Sequence, residues 1–429
     1  MAPALPPLPT IEWDKLGLAV TDSVNGHVEC TYSTTTSTWS PPTFVTDPYL
    51  RIHGLSPALN YGMQAFEGLK ALRLASSSAS SGGGGDTISI FRPHLHCTRL
   101  AHSATVASMP PVPEPLFLEA LSLAVRGNAE YVGPSTSDAI LYIRPLLFGS
   151  GPQLALEPPS QFTFAVYVQP ATTYHGLQPL PCVVVEDFDR AATRGTGSAK
   201  IGGNYAPVMR WSRRAKAQGY YMTLHLDSAT QSEIDEFSTS GFIGVKKIEA
   251  DTPANGQAAM ATPTAVNGEA KENPKLNATL LIPSSPNILH SVTSDSVVHL
   301  AQHKLHLPIA RRPVPFSELA SLSEVLAVGT AASVLPIASV SRLSTDEKYV
   351  FVGADGKAGE VGVELAALLK AYMRGEVEDE FGWRYEVGFL DPEEDSATQR
   401  AKGNGLQLVT AGGEGTLSTS ELKLVTSPL

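Results

Sequence analysis

Cysteine is almost absent from this 429-residue chain: Cys30, Cys97 and Cys182 stand alone, with no Cys-x-x-Cys spacing. That excludes a disulfide scaffold and a cysteine zinc site, and it suits a reducing compartment. Basic charge is also short, since 31 Lys and Arg face 42 Asp and Glu for a formal net charge of −11. A nucleic-acid binder, which needs a basic face, is thereby excluded. No apolar run approaches the roughly 20 residues that span a bilayer. Residues 1–10 are proline-rich and lack an apolar leader, no basic residue precedes Lys15, and the terminal Ser427-Pro428-Leu429 is not a Ser-Lys-Leu address. These absences lead to the expectation of a cytoplasmic protein without a membrane or nucleic-acid partner. Metal is not expected either: His94 and His96 lack a third ligand nearby. The glycine run 82–85 lacks the Gly-Lys-Ser/Thr ending of a phosphate loop.

What is there suffices for two cores, with 42% apolar residues over a length that suits two domains. Low-complexity stretches at 76–85, 250–273 and 393–416 have too few large apolar residues to offset their ordering entropy. Residues 88–91, 139–143, 162–167, 182–185 and 220–227 read as strands. Pro93 opens a helix carrying Arg99, a second helix spans about 205–218 with Gly219 as its stop, and Leu365, Leu368, Leu369 and Tyr372 repeat at helical spacing before Gly375. The three prolines of 169–181 mark a linker. The expected organisation is an α+β fold with domain 1–170, linker 171–181, domain 182–392 and tail 393–429.

The segment Gly195-Thr196-Gly197-Ser198-Ala199-Lys200-Ile201-Gly202-Gly203-Asn204-Tyr205 concentrates the chemistry. Lysine condenses with carbonyl cofactors, and glycine lets backbone crowd a flat ring. From spacing alone, a flexible loop with an incidental lysine stays equally open. Glu236 offers a carboxylate, or a solvated acidic turn with Glu233 and Asp235. Arg99 offers an anion-binding fork, or an ordinary surface helix residue. Thr330, in Gly329-Thr330-Ala331-Ala332, offers a hydroxyl, or a small-residue turn into a helix.

The lysine segment, together with Asn60-Tyr61-Gly62-Met63-Gln64-Ala65-Phe66-Glu67-Gly68-Leu69-Lys70 and Tyr142-Ile143-Arg144-Pro145, resembles the branched-chain aminotransferases. These are class IV, fold type IV pyridoxal-phosphate enzymes. The resemblance implies a smaller α/β N-terminal domain and a larger C-terminal domain with a β-barrel-like core, assembled as a homodimer. It implies pyridoxal 5′-phosphate in a Schiff base with the catalytic Lys200, its ring nitrogen against Glu236 and its phenolic oxygen against Tyr205. The phosphate would lie on Arg99, the Val292-Thr293 amides and Thr330. Tyr61, Phe66, Tyr142, Arg144, Thr330 and Ala331 would hold the substrate. Two departures stand out: the family's Pro-Gly-x-x-Arg phosphate cup reads His290-Ser291-Val292-Thr293-Ser294, and Gly241 replaces a common asparagine. Three functions follow as expectations: ping-pong transamination between a branched-chain L-amino acid and 2-oxoglutarate, the same chemistry on an unusual aliphatic amino acid in a specialised biosynthetic pathway, and a non-catalytic binding protein on the same fold.

Overall fold

A computed structural model describes residues 4–18, 20, 24–74, 87–172, 178–248 and 276–389. The low-complexity stretches 76–85, 250–273 and 393–416 lie outside the described residues. Pro3–Gly388 is one compact unit.

The strands are β1 (His27–Ser33), β2 (Thr38–Trp39), β3 (Thr43–Val45), β4 (Gln64–Phe66), β5 (Leu69–Arg73), β6 (Ile88–Phe91), β7 (Ala139–Gly149), β8 (Gln161–Thr172), β9 (Leu180–Val184), β10 (Met222–Leu226), β11 (Ile234–Phe237), β12 (Gly241–Lys247), β13 (Ala278–Pro283), β14 (Ile309–Arg312), β15 (Glu324–Gly329), β16 (Ser333–Arg342), β17 (Glu347–Val350) and β18 (Arg384–Glu386). The helices are α1 (Pro57–Tyr61), α2 (Pro93–Val106), α3 (Glu114–Arg126), α4 (Val208–Ala217), α5 (Val292–His303) and α6 (Glu360–Arg374).

Two curled sheets, each a half-barrel of nine strands, share the chain. The first runs β18-β6-β5-β7-β8-β1-β2, with β3 on β1 and β4 on β7. The second runs β11-β10-β9-β16-β15-β12-β13-β14, with β17 on β16. The chain crosses from one to the other between Thr172 and Leu180, so strand takes up residues at both ends of the expected linker.

Apolar spacing explains which helix faces are buried. In α3, Phe117, Leu121, Ala124 and Val125 form one stripe against β1 and β8, with the Phe117 and Phe164 rings stacked at 5.8 Å. Each such aromatic contributes about 1.5–3 kcal/mol through burial. In α6, Val361, Leu365, Leu369 and Tyr372 join Val297, Leu300 and Ala301 of α5 in a second core. Glu324 on β15 accepts from the amides of Val361 and Gly362 (3.1 and 2.8 Å), satisfying the open first turn of α6. Gly375, left-handed at φ 71°, ends that helix.

Strand β9 is parallel to both β10 and β16, and α4 supplies the crossover that a parallel pair needs. The long connection from β9 to α4 therefore leaves from the carboxyl end of a strand. It carries Lys200.

Candidate active site

The β9–α4 connection is held in shape by its own Asn204. The Nδ2 of Asn204 donates to the carbonyls of Thr196 and Ala199 (2.6 and 2.9 Å), and its Oδ1 accepts from the Thr196 hydroxyl at 2.8 Å. Strand β4 fixes the loop from the other side: Phe66 N–H donates to the Lys200 carbonyl at 3.0 Å, and Ala65 bridges Ile201. Two of the loop's glycines stand against protein, and Gly203 faces open space. A Cβ on Gly197 would meet the Asn287 carbonyl at 2.3 Å, and one on Gly202 the Gln64 amide at 2.6 Å.

Lys200 Nζ lies 3.2 Å from the Tyr205 hydroxyl, 4.6 Å from the Phe66 ring centre and 4.8 Å from that of Tyr205. It enters a cleft of about 210 Å³ whose walls include Phe66, Arg99, Tyr142, Arg144, Tyr205, Glu236, Thr330 and Ala331. Thus residues from both sheets converge on one space. Thr330 and Ala331 belong to the hairpin turn between β15 and β16, not to a turn entering a helix. Gly68 stands where a Cβ would lie 2.1 Å from the Tyr142 hydroxyl, so that tyrosine can close the wall only over a glycine.

Glu236 is inside β11, not on an acidic turn, and is 3% exposed. Its Oε1 pairs with Arg190 Nη1 at 2.5 Å and accepts a long 3.4 Å bond from Leu289 N–H. Burial pushes the carboxyl up to about 7, against the pull of Arg190. Arg190 also donates to the carbonyls of Ser238 and Gly197 and lies 5.5 Å over the Tyr205 ring. No sequence motif singled it out.

Arg99 is buried in α2, contrary to the surface alternative. Its Nε and Nη2 each donate at 2.7 Å to the two oxygens of Glu67, itself inaccessible to solvent. His96 Nδ1 lies 2.7 Å from the same carboxylate. Burial drives the Glu67 carboxyl up, but Arg99 and His96 outweigh it and hold the group well below the usual carboxylate range. Arg99 Nη1 donates to the His290 carbonyl at 2.9 Å and keeps a second N–H for an anion.

Beside Arg99, α5 starts at Val292, with Ser291 as cap accepting from Ser294 N–H at 3.1 Å. The amides of Val292 and Thr293 occupy the first turn, where helix geometry provides no internal acceptor and an anion is favoured. Ser294 Oγ is buried without a partner among the described residues. A Cβ on Gly241 would lie 2.6 Å from that oxygen. The two departures in this region are therefore one: glycine at 241 leaves room for serine at 294. Arg92 ties the two helices of this corner together, pairing with Asp295 at 2.8 Å and Ser296 at 2.6 Å.

A lysine in a cleft, a buried carboxylate opposite, and an arginine beside a helix N-terminus form a set of donors and acceptors for an aromatic phosphate with a carbonyl group. The model for class IV amino-transferases matches residues 86–340. The chain belongs to the class IV aminotransferases. An aminotransferase of Gibberella zeae is 43% identical over 400 residues, covering 93% of each chain. Aminotransferase poxL of Penicillium oxalicum is 44% identical, covering 89% of this chain and 96% of its own, and aminotransferase TOXF of Cochliobolus carbonum is 44% identical, covering 88% and 96%. Among solved structures, the branched-chain aminotransferase of Escherichia coli superposes with TM-score 0.61 at 24% identity, covering 81% of this chain and 97% of its own. The branched-chain aminotransferase of Thermobaculum terrenum in its pyridoxal-phosphate form gives 0.61 at 20%, covering 86% and 100%. The fold is fold type IV, and the cofactor of this class IV aminotransferase is pyridoxal 5′-phosphate. The residues fit it: the orphaned Ser294 hydroxyl and the open first turn of α5 suit its phosphate, and underpaired Glu236 suits its ring nitrogen.

One expected substrate residue is elsewhere. Tyr61, at the end of α1, is 46% exposed, donates to the Leu154 carbonyl at 2.5 Å and does not line the cleft of its own chain. Among the described residues, no group of three His, Cys, Asp or Glu side chains is placed to hold a metal, and no helix is long and apolar enough to cross a membrane.

Proposed function

We propose that this aminotransferase moves the amino group of an aliphatic L-amino acid to 2-oxoglutarate in two ping-pong half-reactions, serving a specialised biosynthetic pathway. Pyridoxal phosphate supplies the aldehyde and the electron sink when bound. Lys200 would hold it, and Lys200 Nζ, beside the Tyr205 hydroxyl, would move the substrate α-proton. Tyr205 orients that nitrogen through its hydroxyl. Glu236 holds a proton at the ring nitrogen. Arg99, the Val292 and Thr293 amides and Thr330 hold the phosphate.

Substrate recognition divides into charge and oil. Arg144 donates to the Tyr142 hydroxyl at 3.0 Å, its Nε is buried without a partner, and no carboxylate among the described residues pairs with it. It is the group for a substrate carboxylate, with the backbone of Thr330 and Ala331. Phe66 and Tyr142 exclude water and bury an aliphatic side chain, at about 0.8 kcal/mol per methylene. Leu59, Tyr61, Leu154 and Leu156 are exposed together and form the face for a second copy in a homodimer.

The observation that carries this reading is Lys200 Nζ set between the Phe66 and Tyr205 rings in the same cleft as Glu236 and Arg144. The preference for a specialised pathway over branched-chain primary metabolism rests on the joint Gly241–Ser294 change at the phosphate cup. Consistently, the relatives at 43–44% identity bear names that state no branched-chain substrate, while the solved branched-chain enzymes share 24% or less. Borohydride should fix the cofactor on the peptide containing Lys200, and Lys200→Ala should abolish turnover with every donor of a panel of L-leucine, L-isoleucine, L-valine, D-alanine and longer aliphatic L-amino acids. Label on another lysine would overturn the assignment. L-Leucine, L-isoleucine and L-valine outperforming every longer donor would return the enzyme to branched-chain metabolism.

A further inference from the structure

On the other side of the Thr330–Ala331 turn lies a second cleft, of about 380 Å³, between the first sheet and α6. Its walls are mostly aliphatic: Leu72 of β5, Ile140 of β7, Val334 of β16, and Ala366 and Met373 of α6. Lys70 of β5 lies in the same wall, 4% exposed, with its Nζ donating to Ser333 Oγ at 2.6 Å. Among the described residues no carboxylate is within salt-bridge distance of it. Asp138, the one acid among the described residues that line this cleft, is taken up by Lys370 at 2.7 Å and Arg374 at 3.6 Å. The cleft therefore pairs an apolar body with an unbalanced cation at its buried side.

A buried ammonium without a counter-charge is costly, and the protein relieves that cost by loosening its proton. Burial, aided by Arg374, brings Lys70 down to about 7. A hydroxyl is a weak substitute for the anion such a group favours. The partner itself is held awkwardly, because Ser333 has a left-handed backbone at φ 54°, a conformation uncommon for a residue with a side chain.

We propose that this second cleft is a binding site for an aliphatic monocarboxylate, whose carboxylate takes the Lys70 ammonium and whose chain lies along Leu72, Ile140, Val334 and the α6 face. It is separate from the cofactor cleft, since Lys70 and Lys200 open into different spaces. The ligand class follows from a mostly aliphatic wall in which Lys370 and Arg374 share Asp138, while Lys70 has no carboxylate among the described residues. A phosphate would lack apolar contact, and a neutral lipid would leave Lys70 without a counter-charge.

Octanoate is the probe, titrated by calorimetry into the holoenzyme saturated with a branched 2-oxo acid, so that the cofactor cleft is already filled. One octanoate per chain should bind, and octanol should bind about tenfold or more weakly, the difference that one charge-assisted hydrogen bond makes. Lys70→Met should cut octanoate affinity by a similar factor while leaving octanol unchanged. Because Lys70 also anchors Ser333, a second variant avoids that contact: Ala367→Trp, on the exposed α6 rim of the cleft, should block octanoate and leave transamination intact. Equal affinity for octanoate and octanol, displacement of octanoate by the 2-oxo acid, or unchanged binding in Ala367→Trp would each overturn the proposal.

Discussion

Two buried carboxylate–arginine pairs flank the cofactor cleft, and they have opposite character. Glu67 meets Arg99 with both oxygens and receives His96 as well. Glu236 meets Arg190 with one oxygen and has only a long amide bond besides. Desolvation acts on both in the same direction, so the number of compensating donors decides the result. Glu67 is pinned as an anion, and Glu236 is left near 7. The first pair is built to hold shape, placing Arg99 and, through His290, the segment that leads into α5. The second is underpaired, which suits a group meant to hold a proton opposite a ring nitrogen.

The comparison breaks most sharply at Glu236. Glu236→Gln should slow single-turnover α-proton removal by about 10²–10⁴-fold, while moving the apo melting temperature far less than Glu67→Gln does. Stopped-flow spectroscopy of the loaded enzyme checks this, and wild-type rates would remove Glu236 from the chemistry. Glu67→Gln and Arg99→Ala should each cost about 3–5 kcal/mol of apo stability in urea, because each leaves a buried charge without its partner. If Arg99→Ala loses cofactor but no apo stability, the Glu67 pair is not structural.

Their pH dependence should run in opposite directions. Glu67 has a folded pKa below its unfolded value of about 4.3, so its stabilisation is present above that value and lost as pH falls through the depressed one. Glu236 is raised, so its contribution is complete below about 4.3 and is lost as pH rises through 7. Isotope-edited infrared spectra of the apo protein should show a carboxyl titrating near 7 that disappears in Glu236→Gln, and no Glu67 protonation before acid unfolding. A Glu236 midpoint near 4.5 would refute the asymmetry.

The smallest effect belongs to the phosphate cup. Gly241→Ala forces Ser294 Oγ to move from a position only 2.6 Å away. It should weaken cofactor retention, and Ser294→Ala should relieve it, with a coupling of about 0.5–1 kcal/mol in a double-mutant cycle. Additive effects would mean that the two positions changed independently.

What the sequence made legible was local. Lys200, Asn204 and Tyr205 sit within six residues, and the loop that joins them is closed by Asn204 itself. Helices beginning at Pro93 and ending at Gly375 follow from residue chemistry at their ends. Strands β7 and β8 run well beyond the expected 139–143 and 162–167, because their mutual pairing extends from Ala139–Thr172 to Gly149–Phe162. Arg190, in the β9–α4 connection, carries no sequence signal because its partner Glu236 is distant on β11, and Glu67 gains a role only when α2 brings Arg99 and His96 beside it. The small neighbours of Thr330 suit a turn into a helix and a hairpin equally, and the β15–β16 pairing decides for the hairpin. The second cleft draws on β5, β7, β16 and α6, so no single window of sequence contains it.

Strand β18 carries a consequence for biosynthesis. It pairs with β6 through Arg384–Phe91, Tyr385–Ile90 and Glu386–Ser89, while Arg92 N–H donates to the Trp383 carbonyl at 2.7 Å. During translation, the edge of the first sheet thus stays open until nearly the whole described chain has left the ribosome. An unpaired edge recruits other strands. Polysomes that stall before Trp383 would present that edge on every nascent chain, which makes β18 the step that commits each copy to its own fold rather than to its neighbour's.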